Sequence, residues 1–397
     1  MRDVVMVEAV RTAVGRLGGT IKDIEADRLA AGVIAEVVDR AGVDGKEVDE
    51  VTIGQTKQSS DAPNIARVAA LRAGLPIETP AYTVHRQCGS GLQAVNSAAL
   101  QIMCGLSDVV VAGGVESMST APYYLRNARF GYMAGNGEVV DPNTESQPKS
   151  QPEDLFGRFD MGMTAENLAQ RYQISRAEQD EFALRSQEKA RNAIENGFFR
   201  EQIVPVAVKQ KKQEIIFDSD EHPRRVSMEK LSALKPVFKE DGTVTAGNAS
   251  GRNDGAAAVL LMSGTKAEDL GLLPKARIIS QAVCGVPPDI MGIGPVPATS
   301  RALDLAGLSL NDIDLIELNE AFAAQSIAVI KELGIDTDKV NINGGAISLG
   351  HPLGATGAII MTKLIYDLNR IEKRYGLATL CIAGGLGIAT IIENLQI

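Results

Sequence analysis

The chain predicts an α/β fold of two similar halves packed together, and three observations carry that expectation. Short, continuous apolar runs alternate with amphipathic stretches at helical spacing, the pattern of strands buried on both faces and covered by helices. Glycine is abundant at 39 residues, aromatics are only 4%, and tryptophan is absent, which fits tight packing and many strand-to-helix turns. The third observation is a repeat. Ala41-Gly42-Val43 followed by Val48-Asp49-Glu50-Val51-Thr52-Ile53 stands in register with Ala306-Gly307-Leu308 followed by Ile313-Asp314-Leu315-Ile316-Glu317-Leu318. Further on, Val111-Ala112-Gly113-Gly114-Val115 matches Ile382-Ala383-Gly384-Gly385-Leu386, which aligns Cys381 with Val110.

Taken in order, residues 4–10 read as a strand and 26–41 as a helix with apolar positions at Leu29, Val33, Ile34, Val37 and Val38. A strand at 48–53, a helix at 65–73, a short strand at 81–84, a helix at 89–104 and a strand at 108–113 follow. The alternation predicts a largely parallel sheet. From about 121 to 247 the texture changes. This stretch holds a polar, Pro-containing segment at 141–154, a helix at about 176–196 and a charged segment at 209–230. It reads as a functional excursion. Residues 256–262 then read as a strand returning to the first half, which makes the first domain discontinuous. The expected organisation is 1–120 plus 248–270, then 121–247 as a loop domain inserted in the first half, then 271–397.

At 397 residues there is room for two or three domains of roughly 100–200 residues each. A net charge of −10 argues against nonspecific binding to nucleic acid or anionic membranes, which need a basic surface. Four cysteines (Cys88, Cys104, Cys284, Cys381) without a C-x-x-C pair, and three histidines, fit neither a disulfide framework nor a metal site. A reducing cytoplasm is the expected compartment. Residues 1–9 read as a strand carrying Asp3 and Glu8, so no signal segment is visible. No apolar run approaches the ~18 residues of a membrane span.

Chemistry concentrates in four places. Thr83-Val84-His85-Arg86-Gln87-Cys88-Gly89-Ser90-Gly91 ends a strand and opens a helix, where unpaired N–H groups and the helix dipole favour a thiolate at Cys88. The alternative for this residue is a small buried hydrophobe. Glu317-Leu318-Asn319-Glu320 ends another strand, the usual location of a site in a parallel sheet, although both polar residues could simply cap the next helix. A glycine-rich turn from Asn343 to Gly357 places His351 at a helix start, where the dipole keeps an imidazole neutral. The known phosphate-loop spacings are absent from that turn. Cys381, followed by Ile382-Ala383-Gly384-Gly385, ends a further strand. Cys104 and Cys284 read as structural.

Together these residues resemble the thiolase family, CoA-dependent acyltransferases that cleave 3-ketoacyl-CoA or condense two acyl-CoA units. The likeness runs from Glu8-Ala9-Val10-Arg11-Thr12 to Cys381-Ile382-Ala383-Gly384-Gly385. It includes Cys88-Gly89-Ser90-Gly91, Met163-Thr164-Ala165-Glu166-Asn167, Thr245-Ala246-Gly247-Asn248-Ala249-Ser250-Gly251, Asn319-Glu320-Ala321-Phe322 and Gly350-His351-Pro352. The resemblance implies a layered αβαβα fold and a homodimer or homotetramer. It implies Cys88 as nucleophile, His351 as its base and Cys381 as the acid and base at C2 of acetyl-CoA. One oxyanion hole would come from His351 and a water held by Asn319, another from the N–H groups of Cys88 and Ala383.

The loop domain would cover CoA, with Met161, Ala246 and Ser250 along the pantetheine and Phe238, Met291, Ala321 and Phe322 lining the channel. Arg224, Arg225 and Lys230 would meet phosphates or adenine, or else form a solvated charge run. CoA is then a substrate, and neither a resident cofactor nor a metal is implied. The expected activity is that of an acetyl-CoA C-acetyltransferase acting on acetoacetyl-CoA, with a longer-chain 3-ketoacyl-CoA thiolase as the alternative. Asp160-Met161-Gly162 stands where many acetoacetyl-CoA members carry His-Met-Gly. A decarboxylating condensing enzyme on the same fold and a non-catalytic acyl-CoA or lipid binder are the remaining readings.

Overall fold

We describe the fold from a computed structural model covering residues 2–210 and 213–397. In the first half the strands lie side by side in the order Ala81–Val84, Glu50–Gly54, Val109–Ser117, Asn253–Ser263, Val4–Thr12. In the second half the order is Leu315–Leu318, Tyr375–Ile382, Leu386–Asn394, Ala276–Gly285, with Val340 bridging Ile316 where a fifth strand would lie. The two sheets meet where Val5 and Met6 pair with Arg277 and Ala276. The topology is therefore used twice. Each half even bulges at the corresponding place, between Met6 and Glu8 and between Ile278 and Ser280.

Each sheet is mixed, which corrects the expectation of a largely parallel one. In the first half Ala81–Val84, Glu50–Gly54 and Val109–Ser117 are parallel, but Asn253–Ser263 and Val4–Thr12 enter antiparallel pairings. The reason is connectivity. Asn253–Ser263 re-enters the sheet at the end where Val109–Ser117 left it, so it runs back. In the second half, Tyr375–Ile382 and Leu386–Asn394 are joined by only three residues, with Gly384 at φ 90° and Gly385 at φ 84°, and such a short link enforces antiparallel pairing.

The pairings also correct the register of the repeat. Glu50 lies opposite Val110, and its counterpart Leu315 lies opposite Gly376, so Cys381 corresponds to Val115 rather than Val110. The Ala-Gly-Gly likeness that led to the other alignment falls inside the strand in one half and in the turn after it in the other.

Five layers result. Helices Ala26–Ala41 and Ile65–Arg72 cover the outer face of the first sheet, and Pro295–Ala306 and Ala323–Leu333 that of the second. Helices Ser90–Met103 and Leu353–Arg370 lie between the sheets, burying Leu92, Val95, Ile102, Met361, Leu364 and Leu368 in one apolar layer. The first helix buries the five apolar positions read from its sequence and ends at Gly42, whose φ of 66° and ψ of 27° recur at Gly307. The central helices touch backbone to backbone. A Cβ on Gly91 would stand 2.8 Å from Gly354 O, and one on Gly357 would stand 2.2 Å from Leu92 N.

The excursion leaves after Ser117 and carries Met161–Arg171, Arg176–Glu195 and smaller elements. Its long helix opens on a capping box of Ser175 and Glu178. A buried bidentate pair, Arg11 to Asp220 at 2.7 and 2.9 Å, ties it back to the first strand. Among the described residues no helix is long and apolar enough to cross a membrane.

Candidate active site

The site forms where the strand ends of both halves meet the start of the two central helices. Cys88 follows strand Ala81–Val84 and stands one residue before Gly89, the N-cap of Ser90–Met103. The turn that presents it is tight, with Gln87 held at φ 44°, a left-handed conformation that a non-glycine residue adopts at a cost of about 1–2 kcal/mol. Ser90 Oγ secures that turn by accepting from Arg86 N at 2.8 Å and donating to Gln87 O at 2.7 Å. A Cβ on Gly89 would come within 2.5 Å of Ile382, so glycine lets the turn close against the strand that carries Cys381.

His351 occupies the same place before the other central helix, one residue ahead of its N-cap Pro352. Its main-chain N–H donates to Asn253 Oδ1 at 2.9 Å, and Glu116 accepts from Gly354 N at 2.9 Å in the next turn. Thr356 Oγ1 lies 2.7 Å from His351 Nδ1 and 3.0 Å from Pro352 O. A carbonyl can only accept, so the threonine hydroxyl gives its hydrogen to Pro352 and accepts from Nδ1–H. Nε2 is left unprotonated, with Asn319 Nδ2 at 3.4 Å. Burial also pushes the imidazole down to about 4, so it is neutral near pH 7.

Asn319 follows strand Leu315–Leu318 and is buried, and its Oδ1 has no hydrogen-bond partner among the described residues. Its neighbour Glu320 does not cap the next helix. It accepts from Ser186 Oγ at 2.6 Å, Asn341 Nδ2 at 2.8 Å and Ile347 N at 3.3 Å, and so fastens the glycine-rich turn that leads to His351. Cys381 is buried near the end of its strand, among Ala249, Met291, Ala321 and Phe322. Both thiols are pushed up, chiefly by burial, and Cys88 adds to the effect on Cys381. The N–H groups of Ala383 and of Cys88 itself face the Cys88 sulfur and pull the other way without overcoming burial. The expectation that the helix start alone favours a thiolate is thereby corrected. Desolvation outweighs it, and the resting pair is a neutral thiol and a neutral imidazole.

Cys88, His351 and Cys381 line one cavity of about 330 Å³ together with Met161, Phe238, Ser250, Met291, Ala321 and Phe322. Phe238 and Phe322 meet edge to face, their centroids 6.2 Å apart. Asn319 and Ala383 stand just behind this wall, one against His351 and the other against Cys88. Ala246 is exposed and does not reach the wall, where Ala249 stands instead. Arg224, Arg225 and Lys230 are exposed and also off the wall. Sequence reasoning missed Thr356, Glu116, Arg252, which lines the cavity, and Lys57, whose Nζ donates to Gln147 on its wall. Only Glu116, an acid ending an otherwise apolar strand, carried a readable signal. Among the described residues no His/Cys/Asp/Glu cluster could hold a metal ion.

Two family models divide the chain, thiolase N-terminal domain over residues 4–265 and thiolase C-terminal domain over 272–394. An acetyl-CoA acetyltransferase of Pseudomonas aeruginosa is 53% identical over 98% of this chain and 98% of its own length. The crystal structure of the Bacillus anthracis acetyl-CoA acetyltransferase superposes with a TM-score of 0.97 at 50% identity, covering 100% of this chain and 99% of that one. Human mitochondrial 3-ketoacyl-CoA thiolase in complex with CoA gives a TM-score of 0.94 at 44% identity, covering 99% and 98%. With both halves matched and full-length relatives at about half identity, the chain belongs to the thiolase family.

Proposed function

We propose that the protein is an acetyl-CoA C-acetyltransferase that cleaves acetoacetyl-CoA with CoA and, in reverse, condenses two acetyl-CoA. The observation that carries this reading is the convergence of Cys88, Cys381 and a histidine with a free Nε2 on one cavity. In cleavage, His351 Nε2 takes the Cys88 proton as the sulfur attacks the 3-keto carbon. The C2–C3 bond breaks, and its electron pair becomes the enolate of acetyl-CoA, which takes its proton from Cys381. CoA then gives its thiol proton back to Cys381, attacks the acyl-sulfur carbonyl and displaces Cys88, which recovers its proton from His351. The N–H groups of Cys88 and Ala383 would hold one developing oxyanion. His351, with a water on the unpartnered Asn319 Oδ1, would hold the other.

CoA enters this scheme as a substrate, with no resident cofactor. Residues 121–247 would cover it as a loop domain between 1–120 plus 248–270 and 271–397, with Met161 and Ser250 along the pantetheine. Ala246 and Arg224 would meet it outside the cavity. Exposed Tyr124, Leu125, Phe130, Met133 and Leu155 on the excursion support a homodimer or homotetramer, because a second copy would cover them. Free thiols at Cys88 and Cys381 favour a reducing cytoplasm.

A second reading, cleavage of longer 3-ketoacyl chains, is favoured by Asp160, which lines the cavity at the position where the resemblance leads one to expect histidine in many acetoacetyl-CoA members. Thiolysis kinetics with acetoacetyl-CoA, 3-ketohexanoyl-CoA and 3-ketodecanoyl-CoA decide between the two. A kcat/KM highest for acetoacetyl-CoA and collapsing with length supports the first, and one that holds or rises supports the second. Turnover surviving in Cys88→Ala sinks the mechanism, and absence of an acyl adduct on wild-type Cys88 leaves only a binding protein.

A further inference from the structure

We propose that Lys57 is a positioning residue for acyl transfer: its buried ammonium holds the cavity wall at residues 142–147 and lends that wall positive potential as the Cys88 sulfur becomes a thiolate. This rests on the reading of Cys88 as nucleophile. Lys57 lies three residues past strand Glu50–Gly54 and is 4% exposed. Its Nζ donates to Pro142 O at 2.9 Å, to Ser146 Oγ and to Gln147 Oε1 at 3.4 Å. Ser146 Oγ also donates to Gln147 Oε1 at 3.1 Å, so all three partners accept from Nζ, and three donors require an ammonium. Gln147, Asn143 and Thr144 line the cavity with Cys88.

Glu116 fixes Lys57 from the other side by accepting from Lys57 N at 3.0 Å and from Thr56 N at 3.1 Å. Because Glu116 also accepts from Gly354 N, the lysine is referenced to the His351 turn. Among the described residues no carboxylate forms an ion pair with Nζ, while Glu116 offsets part of its charge and itself pushes the Cys88 thiol up. The charged and titratable groups coupled electrostatically to Lys57 are Glu116, Cys88, Asp141, Arg252 and His85. Burial pushes the lysine down while Glu116, Cys88 and Asp141 pull it up, and in turn Lys57 pulls the Cys88 thiol down.

The test measures the initial rate of Cys88 alkylation by iodoacetamide, read by peptide mass spectrometry between about pH 7 and 11, beside thiolysis kinetics. In Lys57→Met, alkylation slows about ten-fold at mildly alkaline pH and its midpoint rises by about one unit. Lys57→Arg keeps the charge and returns the midpoint most of the way. Ser146→Ala keeps the ammonium, leaves the midpoint in place and raises KM for acetoacetyl-CoA by about three-fold. Lys57→Gln is measured in parallel, so a folding defect in the methionine variant does not hide the midpoint. A folded Lys57→Met or Lys57→Gln with the wild-type midpoint overturns the proposal, as does Lys57→Arg no better than Lys57→Met. Wild type that alkylates as expected yet cleaves no 3-ketoacyl-CoA would instead overturn the proposed function.

Discussion

Replacing Thr356 with valine removes one hydroxyl at nearly constant shape, and its expected consequence is a slower base rather than a weaker binding site. His351 Nδ1–H donates to Thr356 Oγ1 over 2.7 Å in a fully desolvated position. Without that acceptor the buried N–H is unpaired, at a cost of about 1–3 kcal/mol. The imidazole escapes part of this cost by moving its hydrogen to Nε2, although Asn319 Nδ2 at 3.4 Å then faces a donor with a donor. The base-competent tautomer becomes a minority, and at about 1.4 kcal/mol per factor of ten kcat/KM for thiolysis falls roughly ten-fold, at most about a hundred-fold. Because Thr356 does not line the cavity, the loss belongs in kcat. The assay is initial-rate thiolysis of acetoacetyl-CoA at saturating CoA for wild type, Thr356→Val and Thr356→Ser, with melting temperatures alongside. Thr356→Ser is expected near wild type. A Thr356→Val enzyme within about two-fold of wild type, or a serine variant as slow as the valine one, refutes the tautomer argument.

Cys381→Ser is expected to keep acetyl transfer to Cys88 while slowing exchange of the C2 hydrogens of acetyl-CoA for deuterium by about 10²-fold or more, followed by NMR; unchanged exchange would move the C2 acid and base elsewhere. Gly91→Ala puts a Cβ 2.8 Å from Gly354 O and 2.9 Å from Ala358 N, both backbone atoms, so the central helices must part at a cost of about 1–3 kcal/mol. Alanine is the better helix former, so a raised melting temperature would show that the contact is not tight. His222 is pushed down to about 4 by burial. It folds neutral, and the unfolded chain takes up its proton below about pH 6.5, so its share of stability is present above that pH and is lost as pH falls toward 4. The stability difference between wild type and His222→Asn in urea melts should therefore change by up to about 3 kcal/mol across that window, wild type losing ground as pH falls. A flat difference contradicts it. The difference is the right quantity, since Asp254, pushed up to about 6, and Glu317, pushed up to about 7, titrate with the opposite sign.

Much of the frame was legible because buried strands and amphipathic helices write their periods into the chain. Helix Ala26–Ala41 could be read to the residue, and its five apolar positions are buried. Strand direction was not legible, because a buried strand reads alike whichever way it runs, and only the connection after Ser117 sets the direction of Asn253–Ser263. The register of the repeat failed for a related reason: Ala and Gly recur wherever backbones approach closely, so local likeness does not identify position. At the site, Cys88, Asn319, His351 and Cys381 stood out because each follows a strand or opens a helix in a motif. Lys57 and Thr356 did not, because their importance lies in partners distant in sequence or one helical turn away. The balance at Cys88 was also invisible, since the dipole can be read from a helix start but desolvation depends on everything folded over it.

The duplicated frame accounts for the geometry of the proposed nucleophile and its base. Cys88 and His351 each precede the N-cap of a central helix, and those helices touch through Gly91, Gly354 and Gly357, so the two equivalent positions face a common cavity. A symmetric pair would place the same residue type at both positions and could not transfer a proton productively. Divergence supplies the difference, a thiol in one half and an imidazole in the other. The strand ends diverged as well. Where the second half carries Cys381, the first carries Val115, and the next residue, Glu116, turns a carboxylate onto Gly354 N at the start of the opposite helix. One half thus places the proposed acid and base in the cavity, while the other uses the adjacent position to hold its partner's helix in place. Both helix starts present positive potential, which helps a thiolate and opposes an imidazolium, so a standing ion pair is not favoured. On the proposed mechanism proton transfer then waits for a carbonyl oxygen to take up the developing charge, and until then a neutral Cys88 reacts only slowly with electrophiles near pH 7.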